Sequence, residues 1–452
     1  MSGPGRELRR LRATRAVLAR DFPRFGVNKT RELTRLVCEI SRREGVPPER
    51  VLSGTAGLRY PRLRKVLLRR RYPAAAATGV LPEPLLLPLD LPPADVAAAP
   101  GAFPAPRRIV WEARVAASPL LARFRAAFPE ADGIEVPSLR QWLREGAKHR
   151  FSPADYNRRR ETILVGAASP RPFQPCPCSP STHGCGYHIY DLAAGCSYDC
   201  SYCFLQEYAN TPGLFFPAWA RPAAGLLERY RGNRRLRIGT GEFADSLALD
   251  SLTGYSRELV EFFRGREGVV FEFKTKSDEV GGLLDLDPGD NIVIGFSLSP
   301  PGAAAVFDHG APPPPRRLAA AEDCRDAGYR VAFHLDPVVF LPGWEEGYRQ
   351  LIRELRDRFL PEQVAWLSLG TVRFRPRMLQ VLERRFPGDP ILDQELFPGY
   401  DGKLRYLPGV RVATYRRLLD FFGPERSRWP LYLCMEDADT WRALGLPDPF
   451  RA

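Results

Sequence analysis

Cys196-Ser197-Tyr198-Asp199-Cys200-Ser201-Tyr202-Cys203 is the stretch that decides the reading of this chain. Its pattern is Cys-x3-Cys-x2-Cys. It follows a predicted strand, Ile189–Leu192, and precedes a helix. Three thiolates on one loop can hold three irons of a [4Fe–4S] cluster and leave the fourth iron open. Zinc usually wants a fourth protein ligand and paired Cys-x2-Cys knuckles. Downstream, strand patterns recur at Leu236–Ile238, Val269–Lys274, Ile292–Phe296, Val331–Leu335 and Val364–Leu369. Helical patterns lie between most of them, at Ser256–Arg264, Ala319–Ala327 and Trp344–Phe359. Six strands alternating with helices predict parallel βα units closing partly or wholly into a barrel, with the cysteines at a strand's C-terminal end, where barrel enzymes place their chemistry.

The barrel is expected to span 169–385 and to begin with a Pro- and Cys-rich loop, Ser169–Gly186. Before it, 107–168 reads as a small α/β domain, with strands at Arg108–Trp111, Gly133–Val136 and Glu161–Val165 and a helix at Leu120–Phe128. Residues 73–106, rich in Ala, Pro and Leu, read as a linker. Residues 1–72 read as a basic helical module. In it Asn28 is placed to cap a helix carrying Leu33, Leu36, Val37 and Ile40, which Gly45 and Pro47–Pro48 end. Residues 386–452 read as a C-terminal α/β extension with a helix at Tyr415–Phe422 and a strand at Leu431–Cys434.

Of 452 residues, 44% are hydrophobic and 26% charged, which excludes a disordered chain. No run of 18 apolar residues exists, so no transmembrane helix is expected. The basic N-terminus lacks the apolar core of a secretory signal. The net charge of +13 is concentrated: residues 1–72 hold 20 Lys and Arg against six acids. Such a module is drawn to DNA or RNA by counterion release, although a solvated arginine-rich surface has the same composition. Nine cysteines, six of them within 28 residues, read as metal or iron–sulfur ligation in a reducing, cytoplasmic compartment rather than as a disulfide scaffold.

With these residues in place the sequence resembles the radical S-adenosylmethionine (SAM) superfamily. Tyr202 matches the aromatic position that meets the SAM adenine. Gly239-Thr240-Gly241-Glu242, after the second strand, resembles the Gly/Glu element that binds the SAM amino group. From about 107 to 425 the chain resembles the spore photoproduct lyase family. Phe173-Gln174-Pro175 through Cys203-Phe204-Leu205-Gln206 is similar to the approach to that family's cluster loop. Phe271-Glu272-Phe273-Lys274-Thr275-Lys276 is similar to its third strand, which makes Lys276 a SAM contact, and Phe296-Ser297 to its fourth, which makes Ser297 another. The resemblance implies a partial (β/α)6 TIM-like radical SAM barrel and a [4Fe–4S] cluster on Cys196, Cys200 and Cys203. It also implies reductive cleavage of SAM to a 5′-deoxyadenosyl radical, and hydrogen abstraction from a thymine photoproduct-like substrate in nucleic acid. A reductant such as flavodoxin or ferredoxin is then a partner.

One departure stands out. In the lyase a cysteine after the second strand returns a hydrogen atom to the product radical; the match puts Glu242 there, and a carboxylate cannot do this. Cys434 is a substitute donor, or else a buried strand cysteine. Cys176, Cys178 and Cys185, flanked by His183 and His188, form Cys-x-Cys-x6-Cys and read as a second iron–sulfur or metal site, as the missing donor, or as a structural loop. Asp245 and Ser246 are SAM or substrate contacts, or Asp245 caps the next helix. His334 and Asp336 alternate along the fifth strand and are substrate-site candidates against a structural hydrogen-bond role. Arg373, Arg375 and Arg377 alternate after the sixth strand as phosphate contacts or an exposed edge. Phe215, Phe216 and Trp219 read as core. Two other functions fit these residues: a radical SAM enzyme acting on RNA, a nucleotide or a peptide, and a non-catalytic Fe–S protein that binds nucleic acid.

Overall fold

Strand signals dense in Val, Ile and Phe become central strands because both their faces are covered. The computed structural model describes residues 4–89, 98, 103–146, 151–167, 173–179, 181–208, 211–221, 227 and 236–447. Two units form: Met1–Ala99 with Val372–Arg411, and Pro100–Thr371 with Val412–Ala452.

The larger unit carries twelve strands among the described residues: β1 (Arg108–Glu112), β2 (Asp132–Val136), β3 (Thr162–Gly166), β4 (Phe173–Pro175), β5 (Tyr187–Tyr190), β6 (Leu214–Pro217), β7 (Leu236–Thr240), β8 (Val269–Thr275), β9 (Ile292–Ser297), β10 (Arg330–Val338), β11 (Val364–Thr371) and β12 (Leu431–Leu433). Eight of them form one sheet in the order β12-β11-β10-β9-β8-β7-β5-β4, with every pairing parallel except β4 against β5. The sheet curls into the partial barrel expected from the alternation. All six residues of β9 are buried, as a strand between neighbours and under helices must be. Helices Tyr255–Phe263, Pro314–Asp326 and Trp344–Arg358 follow β7, β9 and β10.

Two strands fall where the sequence predicted otherwise. Leu431–Leu433, expected in a separate extension, pairs with β11 and lengthens the barrel sheet. Phe173–Pro175, expected as loop, pairs with β5; the first four residues of that expected loop lie outside the described residues. The small α/β domain forms a parallel sheet in the order β2-β1-β3-β6. Its last strand, β6, comes after the cysteine loop, so the chain leaves the barrel sheet and returns to the small one. Phe216 is core, whereas Trp219 is half exposed.

The smaller unit packs helices Pro4–Asp21, Val27–Glu44 and Tyr60–Arg71 around Val17, Leu33, Leu36, Ile40, Leu63 and Leu67. Asn28 does not cap the second helix: Gly26 holds the N-cap position and offers no side-chain cap, while Gly45, in the left-handed region at φ 68°, ends the helix as expected. Residues 372–385, expected in the barrel, and 386–411, expected in the extension, group with these helices, so Arg373, Arg375 and Arg377 do too. Buried ion pairs explain the grouping. Arg35 meets Glu39 at 2.7 Å and Glu383 at 2.6 Å, Arg71 meets Glu39 at 2.6 Å, and Arg42 meets Asp393 at 2.8 Å. Burial raises the cost of a Glu39 carboxylate, yet Arg35 and Arg71 hold its pKa down at about 2.

Removing one partner of a buried pair strands the other charge and costs about 3–5 kcal/mol. Glu39→Ala leaves both Arg35 and Arg71 short of a partner, so denaturant unfolding of the full chain is expected to show this unit destabilised by at least about 3 kcal/mol. Exposed Glu49→Ala is expected to change stability by less than about 0.5 kcal/mol. Equal effects from the two would remove the ion pairs as the reason for the grouping.

Candidate active site

The cysteine loop follows β5 and is pinned from four sides. Arg159, buried, donates from Nη2 to the Tyr198 carbonyl at 2.5 Å and reaches Asp199 Oδ1 at 3.2 Å. The backbone N–H of Gly195 donates to Phe243 O at 2.7 Å, and those of Asp199 and Ser201 donate to His309 O at 2.8 Å and Phe307 O at 2.9 Å. Gln206 sets its side-chain nitrogen within 3.2 Å of the carbonyls of Cys200, Ser201 and Cys203. The three thiols are free. Burial pushes all three up, Cys196 to about 12; Cys196 also feels the charge of Cys203, and Cys200 that of both others, while Lys276 opposes the rise at Cys200 and Cys203.

A second group forms beside the loop. Tyr202 donates its hydroxyl to Asp308, Lys276 Nζ lies 5.4 Å from the centre of the Tyr202 ring, and Arg317 Nη1 meets Asp308 at 2.8 Å and the Ser297 carbonyl at 3.0 Å. Lys276, raised above its ordinary value by Cys200 and Asp308 despite burial, remains a cation. Tyr202, Lys276 and Ser297, scattered in sequence, are thus brought together. The sequence reading missed Asp308, Arg317, Arg159 and Gln206. Only Gln206 carried a local signal, because it lies in the first turn of the helix that follows the third cysteine.

The Gly239–Ser246 segment is held by its own side chains. Asp245 Oδ1 accepts from the backbone of Leu247 and Ala248 at 3.0 Å each and from Thr275 Oγ1 at 2.6 Å, while Oδ2 accepts from Lys276 N at 2.7 Å. Ser246 Oγ accepts from Thr240 Oγ1 at 2.7 Å and from Lys274 N at 3.0 Å. These bonds tie β7 to β8 and fix where Lys276 leaves the sheet. A Cβ on Gly239 would collide with the Tyr187 hydroxyl and lie 2.7 Å from the Glu272 carbonyl, so packing demands that glycine. Glu242 shares a pocket with Asp191, Thr240 and Cys196. Its Oε2 is buried without a partner, and burial, Asp191 and Cys178 push its pKa up to about 7.

His334 lies away from this rim. Its Nδ1 is 2.6 Å from Ser368 Oγ and its Nε2 is 2.6 Å from Glu272 Oε1. A neutral imidazole that donates from Nε2 to the carboxylate accepts the Ser368 hydroxyl proton at Nδ1. Glu272 also accepts from Trp366 Nε1 at 3.0 Å and Arg237 Nη2 at 3.0 Å. With both ring nitrogens so engaged, the structural alternative for His334 matches the geometry. Asp336, partly exposed near the end of β10, precedes a cis peptide bond to Pro337.

Cys176, Cys178 and Cys185 lie together, and Cys434 comes near Cys176. Cys178 Sγ is 3.6 Å from Cys176 Sγ, and the charges of Cys434 and Cys185 both act on Cys176. Among the described residues no three His, Cys, Asp or Glu side chains are placed to grip one metal ion. No described helix is long and apolar enough to cross a membrane.

Comparison with known proteins gives one consistent answer. The family model described as spore photoproduct lyase matches residues 150–395, more than half of the chain. The spore photoproduct lyase of Geobacillus sp. (strain Y412MC61) is 25% identical over 298 residues, 62% of this chain and 83% of its own. That of Bacillus subtilis (strain 168) is 26% identical over 248 residues, 53% and 70% of the two chains. A solved spore photoproduct lyase variant with bound AdoMet and dinucleoside spore photoproduct superposes with a TM-score of 0.59 at 23% identity, over 74% of this chain and 99% of its own.

The His334 network sets a pH dependence. Burial, with Lys274 and Arg237, lowers the His334 pKa from 6.5 to about 4 against the pull of Glu272. Across that interval the unfolded chain binds a proton that the native state refuses, so stability falls as pH drops through it. His334→Gln keeps a donor and an acceptor but does not titrate. Denaturant midpoints measured between pH 7 and pH 4.5 are expected to fall less steeply for His334→Gln than for wild type. Parallel slopes would show that His334 does not govern this window.

Proposed function

The chain belongs to the spore photoproduct lyase family, and from that premise we propose that it is a radical SAM lyase acting on a thymine photoproduct in DNA. The observation that carries this reading is the pinned loop with three free thiols beside Lys276 and Tyr202. It is supported by the solved relative holding AdoMet and the dinucleoside photoproduct.

Cys196, Cys200 and Cys203 would hold the [4Fe–4S] cluster, and the donor set fits it. The thiols are free and mutually close, no disulfide competes, and Lys276 and Arg159 offset the thiolate charge. Tyr202, Lys276 and Ser297 would hold SAM, with Gly239, Thr240, Gly241 and Glu242 on the opposite wall. Asp245 and Ser246 act as positioning residues, since their side chains are occupied by the backbone ties. Bound together, the cluster and SAM supply a 5′-deoxyadenosyl radical for hydrogen abstraction. The protein's own work is to orient and to exclude water. Arg159 and Gln206 fix the loop carbonyls, and Asp308 with Arg317 fixes the Tyr202 ring. His334 and Asp336 would act from the barrel wall, His334 by positioning Glu272 rather than by meeting substrate.

DNA would be attracted by the N-terminal module, where Arg6, Arg9, Arg12 and Arg15 are exposed along one helix. A cytoplasmic flavodoxin or ferredoxin would deliver the electron. Cys176, Cys178 and Cys185 would hold a second iron–sulfur or metal centre.

Anaerobically reconstituted protein with SAM and dithionite is expected to release 5′-deoxyadenosine, and Cys200→Ala to release none. With a dinucleotide photoproduct, wild type is expected to regenerate thymine. Release of 5′-deoxyadenosine with no turnover of the photoproduct would leave the SAM reading standing and overturn the substrate. Arg12→Glu/Arg15→Glu is expected to weaken duplex DNA binding and to flatten the slope of log affinity against log salt by about 0.9 per lost phosphate contact. An unchanged slope would remove this helix from the DNA path.

A further inference from the structure

Cys434 lies far from the other clustered cysteines in sequence, yet the fold brings it to them. Residue Thr182, in the loop between Cys178 and Cys185, forms an antiparallel bridge with Asp437, and the His183 N–H donates to the Glu436 carbonyl at 3.0 Å. The segment after β12 is therefore laced to the Cys-x-Cys-x6-Cys loop. Both ends of the arrangement are anchored. Cys176 N–H donates to Tyr187 O at 2.9 Å, and Cys434 N–H donates to Leu369 O at 2.8 Å. Directly after Cys434 the chain turns through Met435 at φ 56°, an uncommon conformation for a residue with a side chain. The turn is held by Tyr415, whose hydroxyl donates to buried Glu436 at 2.7 Å.

The four side chains have the chemistry of one ligand set. None is in a disulfide, and all are part-buried and partly open to solvent. Cys176 and Cys178 are 3.6 Å apart, and the charges of Cys185 and Cys434 both reach Cys176. Arg237, buried with its guanidinium over the rings of Trp366 and Tyr432, lies near enough to act as a cation on Cys185. No three of these side chains grip a single point among the described residues. A polynuclear centre takes such a spread, because each thiolate then binds its own iron.

We infer that Cys434 is the fourth thiolate of a second iron–sulfur cluster whose other ligands are Cys176, Cys178 and Cys185. This rests on the reading of a second centre in the upstream loop, which by itself leaves one ligand unassigned. It also replaces the expected role of Cys434 as hydrogen-atom donor, since a ligating thiolate has no S–H to give. Four protein ligands leave no open iron, so the second cluster would carry electrons rather than bind SAM.

The test uses the full chain with Cys196→Ala/Cys200→Ala/Cys203→Ala, which removes the first cluster. After anaerobic reconstitution with iron and sulfide and desalting, this variant is expected to keep about four irons per chain with matching sulfide. Adding Cys434→Ser is expected to lower that to fewer than about one iron or to convert the cluster to a three-iron form visible by electron paramagnetic resonance. Cys434→His, which restores a ligating nitrogen, is expected to recover a four-iron cluster and so separates ligand loss from misfolding. Cys324→Ser, at a buried helix cysteine outside the group, is expected to change nothing. An unaltered four-iron cluster in the Cys434→Ser background would overturn Cys434 as ligand and leave the second centre standing. No iron in the starting variant would overturn the second centre itself. Zinc in place of iron and sulfide would overturn the cluster.

Discussion

Everything at the rim of the barrel depends on a carboxylate buried in its interior. Glu272 is fully buried, and an isolated ionised carboxylate there would cost far more than any single packing contact returns. It is tolerated because Arg237 from β7, His334 from β10 and Trp366 from β11 all donate to it. Arg237 in turn reaches the Tyr432 hydroxyl of β12 at 3.4 Å. One anion thus gathers four other strands of the sheet. Gly239 and Gly295 make room for the assembly: a Cβ on the first would strike Tyr187, and one on the second would strike the Glu272 carboxylate and lie 2.9 Å from His334 Nε2. The network fixes the relative heights of the strand ends, and those ends carry the cysteine loop, the Gly239–Ser246 turn and Lys276.

From that floor upward, the rim is built from backbone ties more than from side chains that reach outward. Asp245 and Ser246 spend their oxygens on main-chain amides and on Thr240 and Thr275. The cysteine loop spends its carbonyls on Arg159 and Gln206. A loop that must present three thiols to one inorganic core gains from such restraint, because each constrained carbonyl removes a way for the thiols to drift apart. The residues left with unspent polar capacity are few, and Glu242 is the clearest among them.

The sequence made the barrel and the thiol trio legible because both are local signals. A strand buried on both faces reads as a run of Val, Ile and Phe, and three ligands within eight residues need no tertiary information. What it hid was long-range pairing. Nothing near Arg35 announces Glu383, so the unit formed by residues 1–99 and 372–411 stayed divided between module, barrel and extension. Leu431–Leu433 was visible as a strand, but its pairing with Leu367–Leu369 is a fact of topology. Asp308 and Arg317 were silent for the same reason, since an acid just past the end of one helix and an arginine within the next show their purpose only where they meet Tyr202. Asn28 failed as a cap because the helix begins two residues earlier than such a cap would set it, at Val27, a boundary that composition does not mark.

Glu242 is where this chain parts from the family it otherwise resembles. The sequence resemblance sets Glu242 where the lyase has a hydrogen-donating cysteine, and a carboxyl group offers no such atom. Cys434 is laced to the upstream loop by the ties at Thr182 and His183, and Cys178 of that loop is near enough to Glu242 for its charge to act there. What the pocket holds instead is a carboxyl whose pKa rises to about 7 beside a second carboxyl, Asp191, at about 6. Two such groups side by side favour holding at least one proton between them at neutral pH. A protonated carboxyl donates a hydrogen bond, so Glu242 can serve this wall as a donor as well as an acceptor. Under the proposed function, a carboxyl at this position requires the closing hydrogen atom to come from elsewhere than the second strand.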